Sequence, residues 1–232
     1  MPEKFSLNNI TVNVSDDHRF GTDAFLLAAF AAPKEKDRVC DLCTGCGIIP
    51  LIFCKKRPPK EIFGVELQQE AIDLFRQSIA ENGLEQRIFP IHGDLTKPLP
   101  IEKGTMDMVT VNPPYFKANS GECRLSHAQK LARHEIGCNL EDVVKAASGL
   151  LKYGGSLKIC HIPERITDLL CLMRQYGIEP KILTLVQNRQ GEAPWLALVS
   201  GKKGGKPGLK VNQPLVMQDE NGETKDLLAV YE

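Results

Sequence analysis

The chain has 232 residues, of which 42% are hydrophobic and 25% charged, and its 29 basic and 29 acidic side chains cancel. That length suits one medium domain with a substantial core, and the composition is not that of a disordered chain. Zero net charge does not announce nucleic-acid binding, so any polyanion has to be met by a local basic patch.

The longest apolar stretch, Ala24 to Pro33, is about ten residues, too short to span a bilayer. The first residues lack a signal-peptide core, so a cytoplasmic protein is expected, with its eight cysteines reduced. Ile10 to Val14 alternates like a strand and predicts half of a hairpin with Phe5 to Leu7. Thr22 is the expected N-cap of an apolar helix, Asp23 to Ala32, that Pro33 ends. From Arg38 a βα rhythm begins. Strands are expected at Arg38 to Leu42, Glu61 to Glu66, Arg87 to His92, Met106 to Val111 and Ser156 to Ile162. Helices are expected at Ile48 to Lys55, Gln69 to Glu81, Leu140 to Leu151 and Pro163 to Tyr176. Asn82-Gly83 and Gly154-Gly155 read as helix stops. Ile182 to Gln187 and Trp195 to Ser200 close the series as a strand pair. Gly201 to Gly208 reads as a loop by composition, and Leu215 to Met217 with Leu227 to Tyr231 as a last small element. Phe116 to Gly137 is polar and weakly periodic, a long segment after a strand end where function is common. Strands alternating with helices predict an α/β domain with a largely parallel sheet covered on both faces.

The first strong motif is Val39-Cys40-Asp41-Leu42-Cys43-Thr44-Gly45-Cys46-Gly47, joining the first strand of the series to its helix. In open α/β sheets ligands bind beyond the carboxyl ends of strands, and Gly45 and Gly47 allow close backbone approach. Glu66, about 20 residues on, is placed to hold ribose hydroxyls. A dinucleotide and S-adenosylmethionine both use this geometry. Two details favour S-adenosylmethionine. Pro50 stands where the dinucleotide pattern wants a third glycine, and Asp41 suits an ammonium group but repels a diphosphate. Asp94, after the third strand, is placed to accept from an adenine amino group. The bland alternative for all three carboxylates is strand-end caps. Cys40, Cys43 and Cys46 also begin like an iron–sulfur or zinc ligand run, although Cys40 lies inside a buried strand; no metal is the expectation.

The second motif is Asn112-Pro113-Pro114-Tyr115, at the end of a hydrophobic strand. Two prolines stiffen the chain and remove donors. What is left is the Asn112 side-chain oxygen and the Pro113 carbonyl as acceptors, with the Tyr115 ring as a stacking face. That set suits a planar amino group, whose two hydrogens find two acceptors, for in-line attack on a methyl donor.

On these residues the sequence resembles class I S-adenosylmethionine-dependent methyltransferases carrying the Asn-Pro-Pro-Tyr signature. The closer resemblance is to the bacterial tRNA1(Val) adenine-37 N6-methyltransferases and their relatives. The resemblance also takes in Arg19-Phe20-Gly21-Thr22-Asp23-Ala24, Gly64-Val65-Glu66, Asn82-Gly83-Leu84, Arg133-His134-Glu135 and Lys202-Lys203-Gly204-Gly205-Lys206-Pro207. Cys43 departs from it, standing where a glycine is usual. The resemblance implies a Rossmann-like, doubly wound, mostly parallel seven-stranded sheet with an antiparallel final strand, preceded by a short N-terminal hairpin and helix. It implies three segments: an extension over 1–37, the methyltransferase domain over 38–201, and a basic loop and tail over 202–232. It further implies S-adenosyl-L-methionine as cofactor, tRNA as partner, and Phe20 and Asp23 near the cofactor.

Glutamine methyltransferases share the acceptor motif but usually carry a sizeable helical domain ahead of the cofactor domain. Here about 37 residues precede it, which favours an adenine, splayed from a loop at low cost. A cofactor-binding module without activity is the remaining alternative. Arg124, Lys130 and Arg133 with His127 and His134, and separately Lys202, Lys203, Lys206 and Lys210, are the two candidate phosphate-contacting clusters. The expectation is that alanine at Lys202, Lys203 and Lys206 weakens RNA binding.

Overall fold

The computed structural model describes residues 3–7, 9–55, 58–113, 139–219 and 222–223. Pro114, Tyr115, the 116–137 segment with its basic residues, and Leu227 to Tyr231 lie outside the described residues. An antiparallel hairpin comes first, β1 (Glu3–Leu7) with β2 (Ile10–Val14). Helix α1 (Thr22–Ala31) follows. The alternating series is then β3 (Arg38–Leu42), α2 (Ile48–Phe53), β4 (Glu61–Glu66), α3 (Gln69–Glu81), β5 (Ile88–His92) and β6 (Met106–Val111). After it come α4 (Leu140–Leu150), β7 (Leu151–His161), a short 3-10 turn at Pro163–Arg165, α5 (Ile166–Gln175), β8 (Ile178–Arg189) and β9 (Leu196–Lys203). Short strands β10 (Lys210–Val211), β11 (Leu215–Asp219) and β12 (Gly222–Glu223) complete it.

The main sheet runs β5-β4-β3-β6-β7-β9-β8, with β11 and β12 continuing past β8 and β10 also pairing with β8. Neighbours from β5 to β7 are parallel, and β9 is antiparallel to both β7 and β8. The seven-stranded, mostly parallel sheet is therefore present, and the edge strands beyond β8 extend it. Strand order reverses between β3 and β6, which makes their carboxyl ends the crevice of the sheet.

Both sheet faces are covered. The hairpin, α1, α2 and α3 bury Val12, Leu26, Leu27 and Phe75 on one face, and α4 and α5 bury Val143, Val144, Leu169 and Met173 on the other. Helix α1 is apolar nearly all round, as a helix sandwiched between sheet and neighbour must be. Helix α3 instead buries one stripe, Ala71, Ile72, Phe75, Ser78 and Ile79. The hairpin is tied to α3 by buried polar groups. Ser78 Oγ accepts from the Asn13 N–H at 2.8 Å, and Asn82 pairs with the Thr11 backbone through both halves of its amide.

Among the local boundaries that differ from the sequence reading, four have a clear physical cause. Gly21, not Thr22, occupies the N-cap of α1, and no side chain caps it. At the end of α3 only Gly83 takes the left-handed conformation, while Asn82 stays at φ −100°. Helix α4 ends at Leu150, and Gly154-Gly155 belong to β7. There the pairing with β6 slips between Met106 and Met108, and a Cβ on Gly155 would come within 2.9 Å of the Met106 carbonyl. Finally, Gly201 to Lys203 are the end of β9 and not loop, because they pair with both β7 and β8.

Candidate active site at the strand switch

Leu42 and Val111 are direct partners in adjacent parallel strands. The turns that follow them therefore leave the same sheet edge about 4.8 Å apart. This register brings the Cys43–Gly47 turn and Asn112 together, although 64 residues of chain lie between Gly47 and Asn112.

The turn is built from left-handed residues. Cys43, Gly45 and Gly47 have φ of 57°, 57° and 82°. A non-glycine residue at Cys43 carries about 1–2 kcal/mol of backbone strain, which is the physical reason a glycine is usual there. The two glycines serve different ends. A Cβ on Gly45 would meet nothing within 4 Å, so the outward side of the turn is open to a ligand. A Cβ on Gly47 would lie 1.9 Å from the Phe75 ring, and one on Gly64 would lie 2.5 Å from it. Phe75 thus slots beneath the turn, and close packing, not ligand approach, demands those two glycines. Pro50 sits buried in the first turn of α2, where a missing N–H costs nothing.

Asp41 is fully buried in β3. Its carboxylate accepts from Thr44 Oγ1 at 2.6 Å and from Thr110 Oγ1 at 2.5 Å, so it braces the turn to β6 from below. Burial pushes its pKa up to about 7 against the pull of the two hydroxyls, with the negative charge of Glu66 adding to the rise. Glu66 ends β4 and is nearly buried. One carboxylate oxygen accepts from the Gly45 N–H at 3.0 Å, and the other from the N–H groups of Leu67 and Gln68. Three amide donors orient a group with about four acceptor positions, which leaves capacity for a hydroxyl. Asp94 closes a local turn by accepting from the Thr96 N–H and hydroxyl. Those bonds, with Lys97 at 3.4 Å, hold its carboxyl below the ordinary range.

Asn112 is half-buried at the end of β6. Its Nδ2 donates to Asp23 Oδ2 at 3.0 Å, and the Cys160 thiol lies 3.1 Å from its Oδ1. Asp23, on the first turn of α1, therefore stands beside Asn112. Pro113 is buried beside it. Phe20 packs edge-on against Phe5 and Phe25, with centroids 5.2 and 5.7 Å away. It joins the aromatic cluster under the hairpin. Sequence reasoning missed Thr44, Thr110, Phe75 and Cys160; only cross-strand register and α3 packing reveal them.

The described cysteines form no metal-binding group. Cys40 and Cys46 are buried thiols whose pKa burial pushes up, that of Cys46 to about 12. Among the described residues no three His, Cys, Asp or Glu side chains converge as a metal group. No helix among them is long and apolar enough to cross a membrane.

The C-terminal lysine cluster is not at this edge. Lys202 pairs with Ser156, about 16 Å down β7 from its carboxyl end. Lys203 Nζ donates to the Ser148 and Leu151 carbonyls at 2.6 and 2.8 Å, closing the end of α4. β9 runs antiparallel and carries Lys202 and Lys203 toward the rim of the sheet opposite the Asn112 turn.

A parallel sheet with this order, an antiparallel β9 and a glycine turn at the switch point defines a methyltransferase fold of the Rossmann-like class. A predicted O-methyltransferase from Agrobacterium tumefaciens has the same fold, with a TM-score of 0.72, 22% identity, and 90% of this chain and 94% of that one covered. The M. jannaschii TYW2 structure in complex with AdoMet gives 0.58 at 15% identity, covering 87% and 85%. The chain belongs to the methyltransferase small domain family, whose model matches residues 13–165. It is 30% identical over 186 residues to the tRNA1(Val) (adenine(37)-N6)-methyltransferase of Aeromonas salmonicida, covering 79% of this chain and 77% of the relative. It is 28% identical over 187 residues to the protein of that name from Porphyromonas gingivalis (strain W83), covering 76% and 71%.

Proposed function

We propose that this protein transfers a methyl group from S-adenosyl-L-methionine to N6 of an adenine in tRNA, namely the anticodon-loop adenine-37 named for its relatives. The observation that carries the reading is the pairing of Leu42 with Val111, which sets the open glycine turn and the Asn112 amide side by side.

The residues at the turn fit the cofactor. The open side of Gly45 admits it, and Glu66, held by three amides, accepts from a ribose hydroxyl. Asp94 stands after the next strand for its adenine end. Asp41 is a brace beneath the turn, since both its oxygens are engaged and it has no exposed surface. When bound, the cofactor supplies a methyl group activated by a sulfonium.

At Asn112 the side-chain oxygen and the Pro113 carbonyl accept the two hydrogens of the target NH2. They hold its nitrogen and favour the pyramidal form in which the lone pair is available. The nitrogen proton departs after the new N–C bond forms, so no strong base is required. Pro114 and Tyr115 complete the motif in sequence, the first as stiffener and the second as a stacking face. Positioning supplies the acceleration.

Unmodified tRNA1(Val) incubated with the enzyme and cofactor is expected to gain N6-methyladenosine by nucleoside mass spectrometry. Asn112→Ala is expected to bind the cofactor normally by calorimetry and to lose about 100-fold in turnover, the scale of one removed polar contact to the reacting group. Turnover near wild type in that variant would refute the role of Asn112. Methyl transfer to a protein glutamine instead of RNA would refute the substrate.

A further inference from the structure

The Asn112 side chain has two flips that differ only by exchanging oxygen and nitrogen. One offers an acceptor to an incoming NH2 group, while the other offers two N–H donors and repels it. The neighbours decide which flip exists. Asp23 Oδ2, an acceptor when ionised, lies 3.0 Å from Nδ2. The Cys160 thiol, a donor buried without exposure in β7, lies 3.1 Å from Oδ1 on the opposite side. In the reversed flip an oxygen would face the carboxylate and the thiol hydrogen would face an NH2 group.

The Asp23 carboxylate is itself fixed. Its Oδ1 accepts from the Ala24 N–H at 3.0 Å. A Cβ on Gly21 would lie 2.7 Å from that same oxygen. Gly21 has φ −107°, which any residue adopts, so the space for the carboxylate and not backbone freedom explains the glycine. The position of Cys160 is fixed by register. Val111 pairs with Ile159, which puts the next residues of the two strands, Asn112 and Cys160, side by side.

We propose that Asp23 and Cys160 are positioning residues that lock the Asn112 amide with its carbonyl oxygen toward the target, making the site selective for an NH2 donor. The proposal rests on the reading of Asn112 as the acceptor for that amino group. The hydrogen bond from Nδ2 to the carboxylate also draws the amide toward its charge-separated form, which strengthens Oδ1 as an acceptor.

Two measurements test it. In steady-state methylation of tRNA, Asp23→Ala is expected to lower kcat about 30-fold and Cys160→Ala about fivefold, the range of single polar contacts. The KM for tRNA and the calorimetric Kd for S-adenosyl-L-methionine stay within about threefold in both variants. Cys160→Ser, which keeps a hydroxyl donor, restores most of kcat, and Asp23→Asn, which keeps an acceptor oxygen without charge, falls between Asp23→Ala and wild type. An Asp23→Ala loss confined to cofactor affinity would overturn the proposal and make Asp23 a cofactor residue. The second measurement needs no turnover. The Asn112 side-chain NH2 resonances, assigned by their loss in Asn112→Ala, are expected to shift and to exchange faster with water in Asp23→Asn. Unchanged resonances would overturn the lock even if activity fell. If wild-type enzyme fails to methylate RNA, the functional reading falls, while the resonances still decide whether the lock exists.

Discussion

Replacing Asp41 by Asn isolates the cost of a buried carboxylate beneath the glycine turn. Asp41 is fully buried, and its pKa rises from 3.8 to about 7. The folded state therefore holds this proton to higher pH than the unfolded chain does. The stability this group contributes is fully present below pH 3.8 and is lost as pH rises through 7. At 1.36 kcal/mol per pKa unit, the whole shift is worth about 4 kcal/mol, and the part between pH 5 and 7 about 3 kcal/mol. Asparagine has no such titration. It still offers an oxygen to one threonine hydroxyl and a donor to the other, both of which rotate. Urea unfolding, followed through the single tryptophan Trp195, is the assay. The stability of Asp41→Asn relative to wild type is expected to improve by about 3 kcal/mol between pH 5 and pH 8. A difference that does not change with pH would show that Asp41 is ionised throughout this range, and the argument from burial would fail.

Two further substitutions separate packing from ligand contact. Gly47→Ala drives a methyl group into the Phe75 ring and strains a φ of 82°. It is expected to cost about 3 kcal/mol or more in urea unfolding and to abolish cofactor binding, as overpacking and left-handed strain add. Wild-type stability in that variant would contradict the placement of Phe75. Lys203→Ala removes two charge-assisted bonds at the carboxyl end of α4 and is expected to cost about 2 kcal/mol of stability. The salt dependence of tRNA binding should not change, and a reduced slope would return Lys203 to the RNA interface.

The alternation of apolar strands and amphipathic helices was readable in the sequence, because burial on both sheet faces or along one helix stripe writes itself into local periodicity. So were the ends of β3, β4 and β6, where a polar residue follows an apolar run: Glu66 and Asn112 stand at the carboxyl edge as their motifs suggested. Boundaries set by pairing were not readable. Gly154-Gly155 look like a helix stop, yet they lie within β7, at the slip in its pairing with β6. Gly201 to Lys203 look like loop, yet β7 and β8 hold them as strand.

What the sequence by itself determined is which chemical groups end which strands. What only the tertiary structure decided is who stands beside them. Thr110 reaches Asp41 across 69 residues, and Asp23 reaches Asn112 across 89. Lys203 donates to two carbonyls at the end of α4, more than 50 residues away. Those contacts depend on strand register and helix docking, which are fixed by the packing of the whole core and leave no mark in the spacing of nearby residues.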